Sequence, residues 1–285
     1  GLLLDAQRLR DLIDKDPIPL DWGREQELRR LVDALRGGHG DVPKFVSYVL
    51  QTICRFSNDS GQWLRGSSVP TEWSRLGYAG EAIKPRQIWL GSNGAILPVF
   101  IDREKRVGVG RGKRSISQAL QWLRKGNEHL AIVTNGFQWR LVYAGLDFDA
   151  WSEWDIDLWF EEGKPSDQVT GLRSLLAAPL WVPQVEGEPF KLLTAIRESR
   201  KGQADLSQIL GERVRNAVEV LVQGHGEVLK QEAADVPNED IYRAAVRMVM
   251  RMVVVFFAEA RDLLPRENQL YYQSYGLQGL REELE

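Results

Sequence analysis

Cysteine is nearly missing from this sequence: one residue, Cys54, among 285. That excludes an internal disulfide and any thiolate metal cluster, and it fits a reducing, cytoplasmic setting. Histidine is scarce too. His39, His129 and His225 are scattered without ligand spacing, so no metal site is assigned from the sequence. Long apolar runs are absent. The most apolar segment, MVMRMVVVFFAEA, is interrupted by Arg251 and Glu259, and its longest uncharged run, Met252–Ala258, is seven residues. A membrane span needs about 20, so no membrane partner is expected. Gly1–Leu4 leads straight into an amphipathic pattern, so a signal peptide is not expected. No internal repeat is visible.

A global charge imbalance is also lacking, since the net charge is −3. The local distribution differs. Arg103–Lys125 holds eight basic residues and one acid, whereas 146–167 holds eight acids and one lysine. Such polarity in a near-neutral chain either hides a localised basic binding face or marks two solvated faces that partly neutralise each other.

Hydrophobic periodicity divides the chain into three parts. Residues 1–60 read as N-terminal helices: LLDAQRLRDLIDK, REQELRRLVDALRG ending at Gly37-Gly38, and VPKFVSYVLQTICRF. Residues 61–165 read as an α/β domain. A Gly/Ser/Pro-rich connection over 57–84 leads to the runs RQIWL and AILPVFI around Gly91–Gly94. The helix SISQALQWLRKG follows, with Ser115 as its expected N-cap. Two strands then flank Asn135-Gly136, a strong hairpin signal. Residues 166–285 read as a helical connector: VTGLRSLLAA, FKLLTAIRESRKG, LSQILGERVRNAVEVLVQG and DIYRAAVRMVMRMVVVFFAEARDLL. The closing GLQGLREELE looks like a helix just beginning, so the expectation is an N-terminal portion of something longer.

The chemistry concentrates in LPVFIDREKRVGVGRGKRSISQAL, Leu97–Leu120. A Walker A loop is excluded by spacing, because Val107 stands where its first glycine belongs and Arg114 where its hydroxyl belongs. The order helix, strand, strand, helix, strand, strand matches the plan of PD-(D/E)xK nucleases. In those enzymes a strand-end acid and an acid-x-lysine triplet hold a divalent cation that activates water. Asp102 sits where the triplet's acid belongs, but Glu104 occupies the lysine's place. Lys105 is one position later and would point to the other face if the strand continued. Glu72 and Glu81 are upstream acids. An active Mg-dependent endonuclease would use Asp102, Glu104 or Glu81, and Lys105. A non-catalytic alternative has Arg103, Lys105, Arg106, Arg111, Lys113 and Arg114 contacting DNA phosphates, with Gly108, Gly110 and Gly112 allowing close approach. The tryptophan-rich acidic stretch WRLVYAGLDFDAWSEWDIDLWFEEG reads as packing over the sheet edge. Arg243, Arg247 and Arg251 form a basic stripe whose expected partner is that acidic segment.

TNGFQWRLVYAG (Thr134–Gly145), GRGKR upstream and VVVFFAEARDLLPRENQLYYQSYGLQGLRE (Val253–Glu282) downstream resemble the N-terminal region of large restriction–modification methylases. These are the type IIG enzymes and the DISARM-type phage-defence methylases. The resemblance covers about residues 95–165 and 190–285. It implies a nuclease-like α/β domain plus a helical connector leading toward an adenine methyltransferase, with DNA and defence-system subunits as partners. Two departures stand out. The triplet position reads Asp102-Arg103-Glu104, and the chain holds neither a glycine-rich cofactor loop after a strand nor an N-P-P-Y or D-P-P-Y tetrapeptide. The expectation is a degenerate nuclease-like domain that is itself non-catalytic and binds no cofactor, Mg²⁺ entering only if the core cleaves. The whole protein would then be an S-adenosylmethionine-dependent DNA adenine methyltransferase. A rival reading from another class is a protein-interaction scaffold.

Overall fold

The computed structural model describes residues 3–13, 19–92, 94–146, 148–183, 188–260, 263–265 and 268–284. The chain is a mixed α/β protein that divides into two compact units, 1–201 and 202–285.

The first unit is built on a six-stranded sheet. Its strands are β1 (Gly61–Arg65), β2 (Gln87–Gly91), β3 (Ile96–Ile101), β4 (Leu130–Thr134), β5 (Gln138–Ala144) and β6 (Asp149–Asp155), paired in that order. All neighbours are antiparallel except β3 and β4, which run parallel in the register Val99↔Ile132, Phe100↔Val133, Ile101↔Thr134. A parallel pair needs a crossover, and the helix Lys113–Arg124 supplies it.

Both faces of the sheet are covered, which explains why AILPVFI and HLAIV are continuous apolar runs. Ala131 and Val133 face the crossover helix through Ala119, Trp122 and Leu123. Leu130 and Ile132 face the other way, with Trp89, Leu97 and Trp139, onto the N-terminal helices. Those helices are α1 (Ala6–Leu12), α2 (Trp22–Arg36) and α3 (Val42–Tyr48); the crossover helix is α4. Asp5, Asp21 and Asp41 cap the three N-terminal helices by accepting from backbone N–H groups of the first turn. Helix α5 (Asp167–Leu175) and the start of α6 (Lys191–Gly224) join the same core through Leu172, Leu192 and Ile196. The unit division therefore falls after Lys201, not after Pro165. The helices of 1–60 share a core with the sheet.

Three local expectations change. Residues 61–65, expected in an irregular connection, form the edge strand β1. Residues 149–155, expected as packing over an edge, are the opposite edge strand β6. The segments on either side of Gly202 join into the single helix α6, which tolerates Gly202 and Gly211 because open space surrounds both.

The second unit consists of α6 beyond residue 201, α7 (Gly226–Glu232), α8 (Asn238–Ala260), α9 (Gln269–Ser274) and α10 (Leu277–Leu284). Its apolar core is thin: Val218, Ala245 and Val249 are buried, with Val214, Leu221, Val222, Val246 and Met252 packed beside them. Arg243 pairs with Glu239 and Asp240 one turn back on its own helix. Among the described residues no helix is long and apolar enough to cross a membrane.

Candidate functional site

The carboxyl ends of β3 and β4 open into a cleft of about 830 Å³. Such a position, where parallel strands meet a crossover helix, is where open α/β sheets place ligands. Each wall follows from local structure. Strand β3 ends at Ile101, and Asp102 N–H donates to the Thr134 carbonyl (2.8 Å), closing the parallel ladder. The chain then turns, because Asp102 Oδ1 accepts from the Glu104 N–H (2.9 Å). Asp102, Arg103, Glu104 and Lys105 therefore all line the cleft. The strand does not continue, so the alternation that would have sent Lys105 to the opposite face never applies.

Asn135 fixes this turn in place. Its Oδ1 accepts from the Phe137 and Gln138 N–H groups (3.0 and 2.7 Å), shaping the β4–β5 turn. Its Nδ2 donates to the Glu104 and Lys105 carbonyls (3.0 and 3.1 Å). The hairpin turn recognised in the sequence is thus also the clamp on the candidate triplet.

Asp102 is 9% exposed, and its Oδ2 faces no hydrogen-bond partner among the described residues. Around it are four cations, Lys84, Arg86, Arg103 and Lys105, against two carboxylates, Asp102 and Glu104. Lys84 and Arg86 come from the approach to β2, far in sequence from the basic turn. Lys84 Nζ donates to the Val69 carbonyl (2.9 Å), a bond that steadies the side chain and leaves its charge uncompensated. The sequence signal for this pair is the run Lys-Pro-Arg-Gln, which places both cations outward around the buried Pro85. Ser115 and Gln118 of α4 complete this side. Ser115 does not cap the helix: the Gly110–Gly112 turn runs directly into α4, which starts two residues earlier with Gly112 as N-cap and no side-chain cap. The far wall is apolar: Val42, Pro43 and Phe137.

The other sequence candidates lie elsewhere. Arg106 and Arg111, before α4, and Lys113 and Arg114, in its first turn, are exposed but do not line the cleft. Glu81 sits in the turn between the two-residue strands Arg75–Leu76 and Ala82–Ile83, packed against Gly77 and outside the cleft lining. Two loop glycines serve the loop's own packing. A side chain at Gly112 would strike the Arg106 carbonyl, and one at Gly108 (φ +74°) would strike the Arg140 guanidinium; only Gly110 faces open space. Among the described residues no group of three or more His, Cys, Asp and Glu is gathered as a metal ion would require. Cys54 is buried, and burial pushes its thiol well above the usual range, so it is no nucleophile.

The charge distribution resolves in one direction. Three acids of the acidic stretch are engaged by arginines within the first unit: Asp157 by Arg36 (3.2 Å), Asp149 by Arg124 (2.5 Å), and Glu153 by Arg140. Arg103, Lys105, Arg106, Arg111, Lys113 and Arg114 have no ion pair among the described residues. These three acids pair with cations outside 103–114.

No family model matches the chain, and no curated protein matches it. Among solved structures, a cryo-electron-microscopy structure of a DrdV–DNA complex aligns with 91% of this chain at 14% identity and a TM-score of 0.34. The alignment covers 24% of that chain, so this sequence spans about a quarter of its length. What the site does is therefore read from its own residues.

Proposed function

We propose that the first unit is a degenerate nuclease-like domain of the PD-(D/E)xK plan that holds the DNA backbone without cutting it. One observation carries this reading: cations without ion pairs among the described residues, on 103–114 and around the cleft. The uncapped N-terminus of α4 adds backbone N–H donors to the same side, favourable to phosphate. Strand order with one crossover helix, and Asp102 at the end of β3, support the nuclease-like plan. Glu104 in the lysine's place supports loss of cleavage. The sequence resemblance extends the proposal to the whole protein, a restriction or phage-defence DNA adenine methyltransferase that uses S-adenosylmethionine and partner subunits. Its methyl-transfer residues would lie outside these 285.

Lys84, Arg86, Arg103 and Lys105 give affinity and position rather than sequence choice, because phosphate is the same at every base. The test is binding of labelled duplex DNA to the chain. Reversing Arg86 and Arg103 to glutamate is expected to weaken binding at least about tenfold. Equal affinity for that variant would remove the cleft from the reading.

A second reading is favoured by one feature, that Asp102, Glu104 and Lys105 all line the cleft. A divalent cation held by the two carboxylates would make the domain an active endonuclease. Mg²⁺- or Mn²⁺-dependent cleavage lost in Asp102→Ala would establish it. Intact DNA under both metals would leave binding alone.

A further inference from the structure

The cleft has two unlike walls, and a phosphate needs only one of them. Lys84, Arg86, Arg103 and Lys105 suit an anion. Opposite them, Val42, Pro43 and Phe137 offer an apolar surface on which a phosphate gains nothing. This wall is held firmly. The Gly136 backbone lies against the Val42 side chain, where an added Cβ would come within 3.1 Å of it, and Phe137 packs partly on the main core. At about 830 Å³ the space exceeds what a phosphate fills.

Resting on the DNA-binding reading, we infer that the cleft seats an unpaired nucleotide. Its phosphate lies on the basic wall and its base lies against Phe137. Bases in an intact duplex have their faces covered by neighbours, whereas an unpaired base brings a free face to an aromatic ring. The preferred substrate is thus single-stranded or frayed DNA.

The test is fluorescence anisotropy on the full 285-residue chain, with chelator present so that no metal occupies Asp102. The probes are short oligo-dC, oligo-dT and a closed hairpin duplex with the same number of phosphates. Both single strands are expected to bind about tenfold tighter than the duplex. Phe137→Ala should collapse the ratio of single-strand to duplex affinity. Phe137→Leu keeps the aliphatic packing and lacks the aromatic face; it should lose the single-strand preference as well, separating stacking from misfolding. Equal binding of strand and duplex, or unchanged ratios in the variants, would overturn the inference and leave backbone binding standing. No binding to any probe would overturn the DNA reading beneath it.

Discussion

The two units bury their hydrophobic residues very differently. In the first, Trp89, Trp122, Trp139, Trp159 and Trp181 are all fully enclosed, and the sheet is covered on both faces. In the second, α8 is apolar on most sides, yet Met248, Val254, Phe256 and Phe257 remain exposed while only Ala245, Val249 and Glu259 are buried among its described residues. A helix that is hydrophobic all round is normally enclosed. The first unit has the packing to hold a site rigid. The second adds a few polar anchors to a thin core. Glu259 is the main one: its Oε1 accepts from Tyr271 Oη (3.0 Å) and the Leu277 N–H (2.8 Å), tying α9 and α10 to α8. The glutamate of the FAEA motif is therefore a structural anchor; Arg261 and Asp262, which follow it, lie outside the described residues.

The largest effect that would sharpen this contrast is in the first unit. Trp122 stacks on Trp73, meets Phe100 edge-on, carries the Arg75 guanidinium 3.6 Å above its ring, and donates from Nε1 to the Trp73 carbonyl. Trp122→Ala should cost about 3–5 kcal/mol in chemical denaturation. A cost under about 1 kcal/mol would mean that this side of the sheet is not the core it looks like. Next, Glu259→Ala should cost about 1–3 kcal/mol, confined to the second unit, because two donors lose a buried acceptor. Hydrogen exchange should speed up in 269–284 while β4 and β5 stay protected. Equal loss in both units would erase the distinction.

The smallest effect is on pH. Desolvation, then the hydrogen bond to Glu259, hold the Tyr271 phenol above its ordinary range. A raised folded value means that the stabilisation is fully present below the ordinary tyrosine range and is lost as pH rises through the folded value. Phenolate absorbance should show a late-titrating tyrosine that disappears in Tyr271→Phe. Tyr48, raised mainly by burial, should persist there as an internal control.

Legibility follows the physics of each segment. Strands β2 to β5 and the crossover helix are readable from the sequence because turn residues bracket their apolar runs, and the Asn135-Gly136 turn falls where its dipeptide predicts. Strand β1 is not, since Gly61–Arg65 sits in glycine- and serine-rich chain and is a strand only because β2 offers an edge to pair with. At the site, Asp102, Arg103, Glu104 and Lys105 stand out as a charged strand end. Lys84 and Arg86 do not, because their proximity exists only after β2 and β3 pair. In the sequence Phe137 is simply part of a hairpin; its place on the cleft wall depends on α3, contributed from near the start of the chain.

The most direct test of the central claim is the salt dependence of duplex DNA binding. The logarithm of the affinity should fall linearly with log salt concentration. Replacing Arg86 and Arg103 together by alanine should reduce that slope by about 2, since each phosphate no longer neutralised removes about 1. Binding whose slope is the same in the double variant, or no binding at low salt, would contradict the assignment of the cleft as a DNA-backbone site.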